Sequence, residues 1–146
     1  MRSTTLHQRI VVLLDGTPSG ERGLAWVRQL ARGSGSLVHL VLIRPPGAAV
    51  RDGSRVLAFA DQVEDGARAA ALAYLEPAAA RLREDGLAVM THVRIGKPVE
   101  TTYAAIAEMS ADIVVASGID AGDLRRVLRH APVPVLVTGP ECRRSA

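Results

Sequence analysis

Few side chains in this sequence are placed to do chemistry, and most of those lie where short apolar runs end. Asp15 follows the run Ile10-Val-Val-Leu-Leu14 and opens Asp15-Gly16-Thr17-Pro18. A carboxylate there is either a pocket acid or the organiser of a turn and of the helix start after it; both readings stand. Ser117-Gly118 follows a second run, Asp112-Ile-Val-Val-Ala116. A nucleophilic serine at a strand-to-helix turn needs a Gly-x-Ser-x-Gly elbow, which Ala116-Ser117-Gly118 does not supply. Arg125, Arg126 and Arg129 form a cluster that a phosphate or a partner would suit. With Asp120 and Asp123 ahead of them, however, acids at the start and arginines at the end simply match a helix dipole, which is the preferred reading. His7, His39, His92 and His130 are scattered, and no His/Cys/carboxylate set has the spacing of a metal site. His39 and His92 fall on strand-like runs, where a histidine is more often a satisfied structural group than a ligand. Cys142 is the only cysteine. Arg143-Arg144 beside it favour a thiolate, yet a surface thiol without a role is the simpler account. No catalytic constellation emerges, so the chain is expected not to be an enzyme.

The elements that must position these residues fit one domain over residues 1–146, with a core of about 8–138 and a polar tail at 139–146. The 146 residues carry 48% hydrophobic and 23% charged side chains, as globular domains do, which excludes a disordered chain. No apolar run nears the roughly 20 residues that span a bilayer, so no membrane association is expected. The polar start has no signal segment and a lone cysteine forms no internal disulfide, so a cytoplasmic location is expected. Net charge is +3, from 18 cations well mixed with 15 anions, and only Lys97 is a lysine. Aromatic residues are 3%, too few for base-stacking platforms, so nucleic acid is not an expected partner.

Apolar patterning alternates between short continuous runs and helical spacing. Ile10–Leu14 is apolar throughout, and Leu37–Ile43 is apolar but for His39, as for strands covered on both faces. A helix is expected from about Pro18, with Ser19 as N-cap and Leu24, Val27, Leu30 and Ala31 on one face; Gly33-Ser34-Gly35 stops it. Gly47 to Arg55 reads as a loop. A long helix follows over about Val56–Asp85, with Pro77 expected to kink or break it near Leu75-Glu76. Val89–Ile95 alternates in part, like an edge strand. Pro98 starts a helix through Met109, Asp112–Ala116 is a fourth strand, Gly122–His130 a short helix, and Ala131–Val137 a fifth strand. Strict β-α alternation implies one parallel sheet with helices on both faces and right-handed crossovers.

Five segments, in order, resemble the universal stress protein family. They are Ile10–Thr17, with its strand ending in Asp-Gly-Thr; Ala25-Trp26 through Ala31-Arg32; Val93–Pro98, a Val-x-x-Gly-x-Pro step; Ala111–Val115; and Val127–Val137, which comes nearest to the family pattern. The resemblance covers about residues 8–138. It implies an α/β fold with one doubly wound five-stranded parallel sheet in the order 3-2-1-4-5, a stress-linked role, and a homodimer. Strand 5, with Val133, Val135 and Val137 alternating on what that topology makes an edge, is the expected dimer seam. It also implies a crevice above strands 1 and 4, the topological switch point where open α/β sheets bind ligands. In that crevice Asp15, Leu13, Leu42, Ala116, Ser117 and Gly118 would line a vestigial adenosine site, although Leu13, Leu42 and Ala116 also read simply as core.

The ATP-binding branch of the family carries Gly-x-x-Gly, nine residues, then Gly-(Ser/Thr), between strand 4 and the last helix. Its glycines bring backbone amides to the phosphates beside a helix N-terminus. No register restores it here. From Ser117 the later positions are Asp120 and His130-Ala131. From Gly118 they are Ala121 and Ala131-Pro132, and from Gly122 they are Arg125 and Val135-Leu136. The segment is short, and Asp120 and Asp123 bring the wrong charge. No cofactor is therefore expected. The alternative is a nucleotide-binding member holding ATP or AMP weakly, with phosphate contacts from elsewhere, for example Arg125 or Arg126.

Overall fold

The computed structural model describes residues 9–138. His7 and Cys142 lie outside them. Five strands form one parallel sheet: β1 (Arg9–Leu14), β2 (Leu37–Arg44), β5 (Ala88–Ile95), β6 (Ile113–Ala116) and β7 (Val135–Val137), in the order β5-β2-β1-β6-β7. This is the expected 3-2-1-4-5 order, with the two apolar strands inside and Ala88–Ile95 at an edge.

Side chains alternate across the sheet, so each central strand feeds two cores. Ile10, Val12, Leu14, Val38, Leu40 and Leu42 join one cluster, with residues of α1 (Leu24–Ala31) and α2 (Ala60–Glu84). Val11, Leu13 and Val41 join the other, with Ala105 and Ile106 of α3 (Pro98–Glu108). α4 (Ala121–His130) lies beside α3, and the Tyr103 hydroxyl donates to the carbonyls of Arg126 and Val127, each at 2.9 Å. Among the described residues no helix is long and apolar enough to cross a membrane.

Four local expectations need correction. The first helix does not begin with a cap at Ser19: Thr17 is the N-cap, its Oγ1 accepting from the Gly20 amide at 3.4 Å, and it opens a 3₁₀ turn over Pro18–Gly23 before α1. Residues 47–55 are not simply a loop. β3 (Val50–Asp52) and β4 (Arg55–Ala58) form an antiparallel hairpin closed by Gly53-Ser54, with Gly53 at φ +59°. A glycine in the first position of a two-residue hairpin turn supplies the positive φ that the turn demands. β4 takes what would have been the first turn of the long helix, so α2 starts at Ala60, where the Gln62 side chain accepts from the Phe59 amide at 2.9 Å.

Pro77 neither ends nor splits α2. Proline leaves the carbonyl four residues earlier, that of Ala73, without its helical donor. Ala73 and Pro77 both lie on the exposed side of α2, while Leu75 before the proline and Ala78, Ala79 and Leu82 after it stay fully buried and hold both halves against the core. The fourth correction concerns the last strand, which pairs only over Val135–Val137, because Pro132 and Pro134 bring no amide donor to a ladder.

Candidate functional site

β1 ends between β2 on one side and β6 on the other, so its carboxyl end is the switch point of the sheet. The residues after it are held closely. Asp15 Oδ1 accepts from the Thr17 amide at 2.9 Å and the Thr17 hydroxyl at 2.7 Å. The Tyr74 hydroxyl of α2 donates to the Thr17 carbonyl at 2.7 Å. Burial, then the charges of Glu21 and Asp15, push the Tyr74 phenol up to about 12, so it stays a donor. Gly16, at φ +83°, lets the chain turn where Arg44 crosses to donate to the Asp15 carbonyl at 3.3 Å. Asp15 is thus the organiser of its turn, and it also borders the crevice.

Gly118 faces it from the end of β6. A Cβ there would lie 2.6 Å from the Asp15 nitrogen and 2.8 Å from its Cβ. Ser117, before it, is a strut: its hydroxyl donates to the Gly20 carbonyl and accepts from the Gly23 amide at 3.1 Å. With both partners taken by backbone, it has no base beside it to make it a nucleophile.

The crevice has two lobes, both bordered by Asp15 and Gly118. A small one of about 130 Å³ is walled by Leu13, Val41, Ile43 and Thr102, with Arg44 at its rim. An open one of about 590 Å³ is lined by Ala116, Ser117, Leu124 and Val137, with Arg22 beside them. Leu42 is not among these walls. It is fully buried in the cluster on the other face, because one step along a strand reverses the side chain, and Val41 and Ile43 take the cleft side. The arginines of α4 do not line the crevice either: Arg125, Arg126 and Arg129 are exposed on the helix, and Arg126 reaches Asp123 at 3.6 Å. The cations that do border it, Arg22 and Arg44, were missed from sequence. The available signal was the position of Arg44, as the last residue of a central strand.

The loop after Gly118 is closed by its own acids. Asp120 caps α4, with Oδ2 accepting from the Gly122 amide at 3.0 Å and its carbonyl accepting from Leu124 at 2.8 Å. Asp120 and Asp123 also line the small lobe. A larger hollow of about 790 Å³ sits at the opposite, amino-terminal end of β2 and β5. Its wall includes Arg28 and Arg81, paired with Asp85 at 2.6 Å and Glu21 at 3.0 Å. Among the described residues no three metal-ligating side chains come together. His39 and His92, far apart in sequence, meet at 2.9 Å between ring nitrogens.

A sequence model of the universal stress protein family matches residues 7–139. The chain belongs to the universal stress protein family. No individual curated sequence matches it. Solved universal stress proteins share the fold at low identity. One from Burkholderia pseudomallei is 22% identical, covers 92% of this chain and 98% of its own, and has a TM-score of 0.76. One from Archaeoglobus fulgidus, in complex with dAMP, is 22% identical with coverage of 90% and 98% and a TM-score of 0.65. One from Arabidopsis thaliana, with AMP bound, is 15% identical with coverage of 89% and 90% and a TM-score of 0.64. The crevice of this universal stress protein thus lies on a fold that it shares with proteins solved with adenine nucleotides.

Proposed function

We propose that this chain is a non-catalytic, dimeric universal stress module, acting by interaction or sensing, whose crevice does not accept a triphosphate. The observation that carries this is the Asp120 carboxylate, which already takes an amide at the first turn of α4 where a phosphate would bind. Asp123 adds a second negative charge at the same lobe, and each charge contact repels a phosphate by about 1 kcal/mol at partly screened distances. Ser117, engaged on both sides by backbone, supports the non-catalytic reading.

A second reading is favoured by the AMP and dAMP bound to two of the fold relatives. It is a weak site for a nucleoside monophosphate, with the base and sugar against Leu13, Val41 and Gly118 and the phosphate near Arg22 or Arg44. Calorimetry separates the two. Mg-ATP is expected to give no saturable heat below millimolar concentration, and a micromolar dissociation constant would overturn the first reading. AMP that saturates while ATP does not would establish the second. The double variant Asp120→Gly with Asp123→Ser tests the cause: recovery of ATP binding assigns it to charge, and continued failure assigns it to the shortened loop.

The dimer reading rests on β7. It pairs with β6 on one side only, and Val137 is 45% exposed. Val133 and Val135 pack against the second core cluster, so Val137 is the position to change. In light scattering, Val137→Lys is expected to shift the wild-type dimer towards monomer. An unchanged dimer would place the interface elsewhere.

A further inference from the structure

His39 on β2 and His92 on β5 stand on the same face of neighbouring strands. The parallel register pairs His39 with Met90 and Val41 with His92, so the two rings meet on the diagonal. His39 Nδ1 and His92 Nε2 are 2.9 Å apart, with ring centroids at 5.0 Å. The near-linear arrangement is a hydrogen bond along the ring edges, in which one imidazole donates and the other accepts, according to tautomer. His39 is buried, 6% exposed, while Met90 beside it on the edge strand is 48% exposed. The pair therefore sits at the margin of the core, joining an outer strand to the sheet. No part of the crevice chemistry uses it.

We propose that His39 and His92 form an acid-sensitive latch between β2 and β5, closed while both rings are neutral or share a single added proton and released by the second added proton. With both rings neutral, one N–H faces one lone pair. With a single added proton the same N–H···N bond survives and becomes charge-assisted. With two, each ring turns an N–H on the other at 2.9 Å, no acceptor remains, and two cations adjoin.

The cations around the pair work in one direction. Arg9 of β1 opposes protonation of His39, and Arg94 of β5 opposes that of His92; Glu108 of α3 is the one favouring charge, and it is engaged with Arg94 at 3.6 Å. Burial is the largest cause for both rings, and all causes together hold both below the ordinary 6.5. For a histidine lowered in the folded chain, the open chain binds protons first. Stability is then full above about 6.5 and is lost as pH falls below it, by up to tenfold in the folding constant per pH unit for each proton taken up only on opening. α2 still holds β5 from the opposite face, where Arg83 donates to the Val89 carbonyl at 2.8 Å and Thr91 to Glu76 at 3.1 Å. The latch therefore governs the β2–β5 seam, and its release bares the hydrogen-bonding edge of β2.

The test is an NMR titration of both imidazoles in the unmodified protein from pH 8 to pH 5, alongside amide exchange. Both rings are expected to titrate below the ordinary 6.5, with exchange of the β5 amides rising at least tenfold more than that of the β1 amides over the same range. His92→Gln keeps a partner for His39 and removes one titrating group. It is expected to flatten the fall in urea stability between pH 7 and pH 5 at least threefold relative to wild type. Either ring titrating at or above the ordinary 6.5, or a variant with the wild-type pH dependence, overturns the latch. Should His92→Gln fail to fold, the titration and exchange of the unmodified protein decide alone.

Discussion

Gly118→Val is expected to destabilise the protein by about 3 kcal/mol, more than any other single change at the crevice. Overpacking is often relieved by a flexible neighbour, but here the neighbour is the main chain. A Cβ at 118 meets the Asp15 nitrogen at 2.6 Å and the Asp15 Cβ at 2.8 Å, closer than real Cβ contacts come. Relief requires the ends of β1 and β6 to part. That movement would strain the hydrogen bond from the Ser117 amide to the Leu13 carbonyl, now 3.1 Å. It would also disturb the Asp15–Thr17 turn and the strut from Ser117 to Gly20 and Gly23. Urea denaturation followed by far-UV circular dichroism measures the loss. Gly118→Ala should show a smaller loss of the same sign, since the clash begins at the first carbon. A valine variant that unfolds at the wild-type urea concentration would mean that the fork of the sheet is wider than described.

Leu75→Ala is the second large effect, expected at about 3–4 kcal/mol. Leu75 is 0% exposed in the middle of α2, on the buried face shared with Ala71, Ala78, Ala79 and Leu82. Three of those four neighbours are alanines, whose short side chains cannot swing into the space a leucine leaves. The cavity therefore persists, and its lining loses dispersion contacts as well as the transfer free energy. The position has a further burden, since Pro77 removes one helical hydrogen bond two residues on and packing at Leu75 compensates for it. Leu72, on the outer side of the same helix and 39% exposed, is the control: Leu72→Ala should cost less than about 1 kcal/mol. Equal losses for the two variants would refute the assignment of the buried face.

The crevice residues divide by how locally they are specified. Asp15 at the end of an apolar run, with Gly16 and Thr17 after it, is legible because a turn, its positive φ and its hydroxyl partner are all encoded within three residues. The absent glycine motif and the acids that replace it are likewise written in order along residues 117–124. The cleft walls are not. Leu42 and Val41 are adjacent and both apolar in a strand buried on two faces, so hydropathy cannot say which of them turns toward Leu13; the pleat decides. Arg22 and Arg44 come to the crevice rim from two different elements, whereas Arg125, Arg126 and Arg129, conspicuous as a cluster, stay on the outside of α4.

What the sequence by itself determined is the alternation of buried strands and helices, the strand order that follows from family resemblance, and the edge position of Ala88–Ile95. These rest on local periodicity, and on a crossover rule that leaves few topologies open. It also determined the chemistry missing after β6, since a glycine that is not there cannot present an amide. Tertiary structure alone decided the continuity of α2 through Pro77, because the burial of Leu75 before it and of Ala78, Ala79 and Leu82 after it holds both halves against the core. It alone decided the His39–His92 contact. Those residues are 53 apart, and no spacing along the chain relates them. They meet because β2 and β5 pair in a parallel register that sets Val41 opposite His92, and a shift of one residue in that register would have turned the two rings to opposite faces of the sheet.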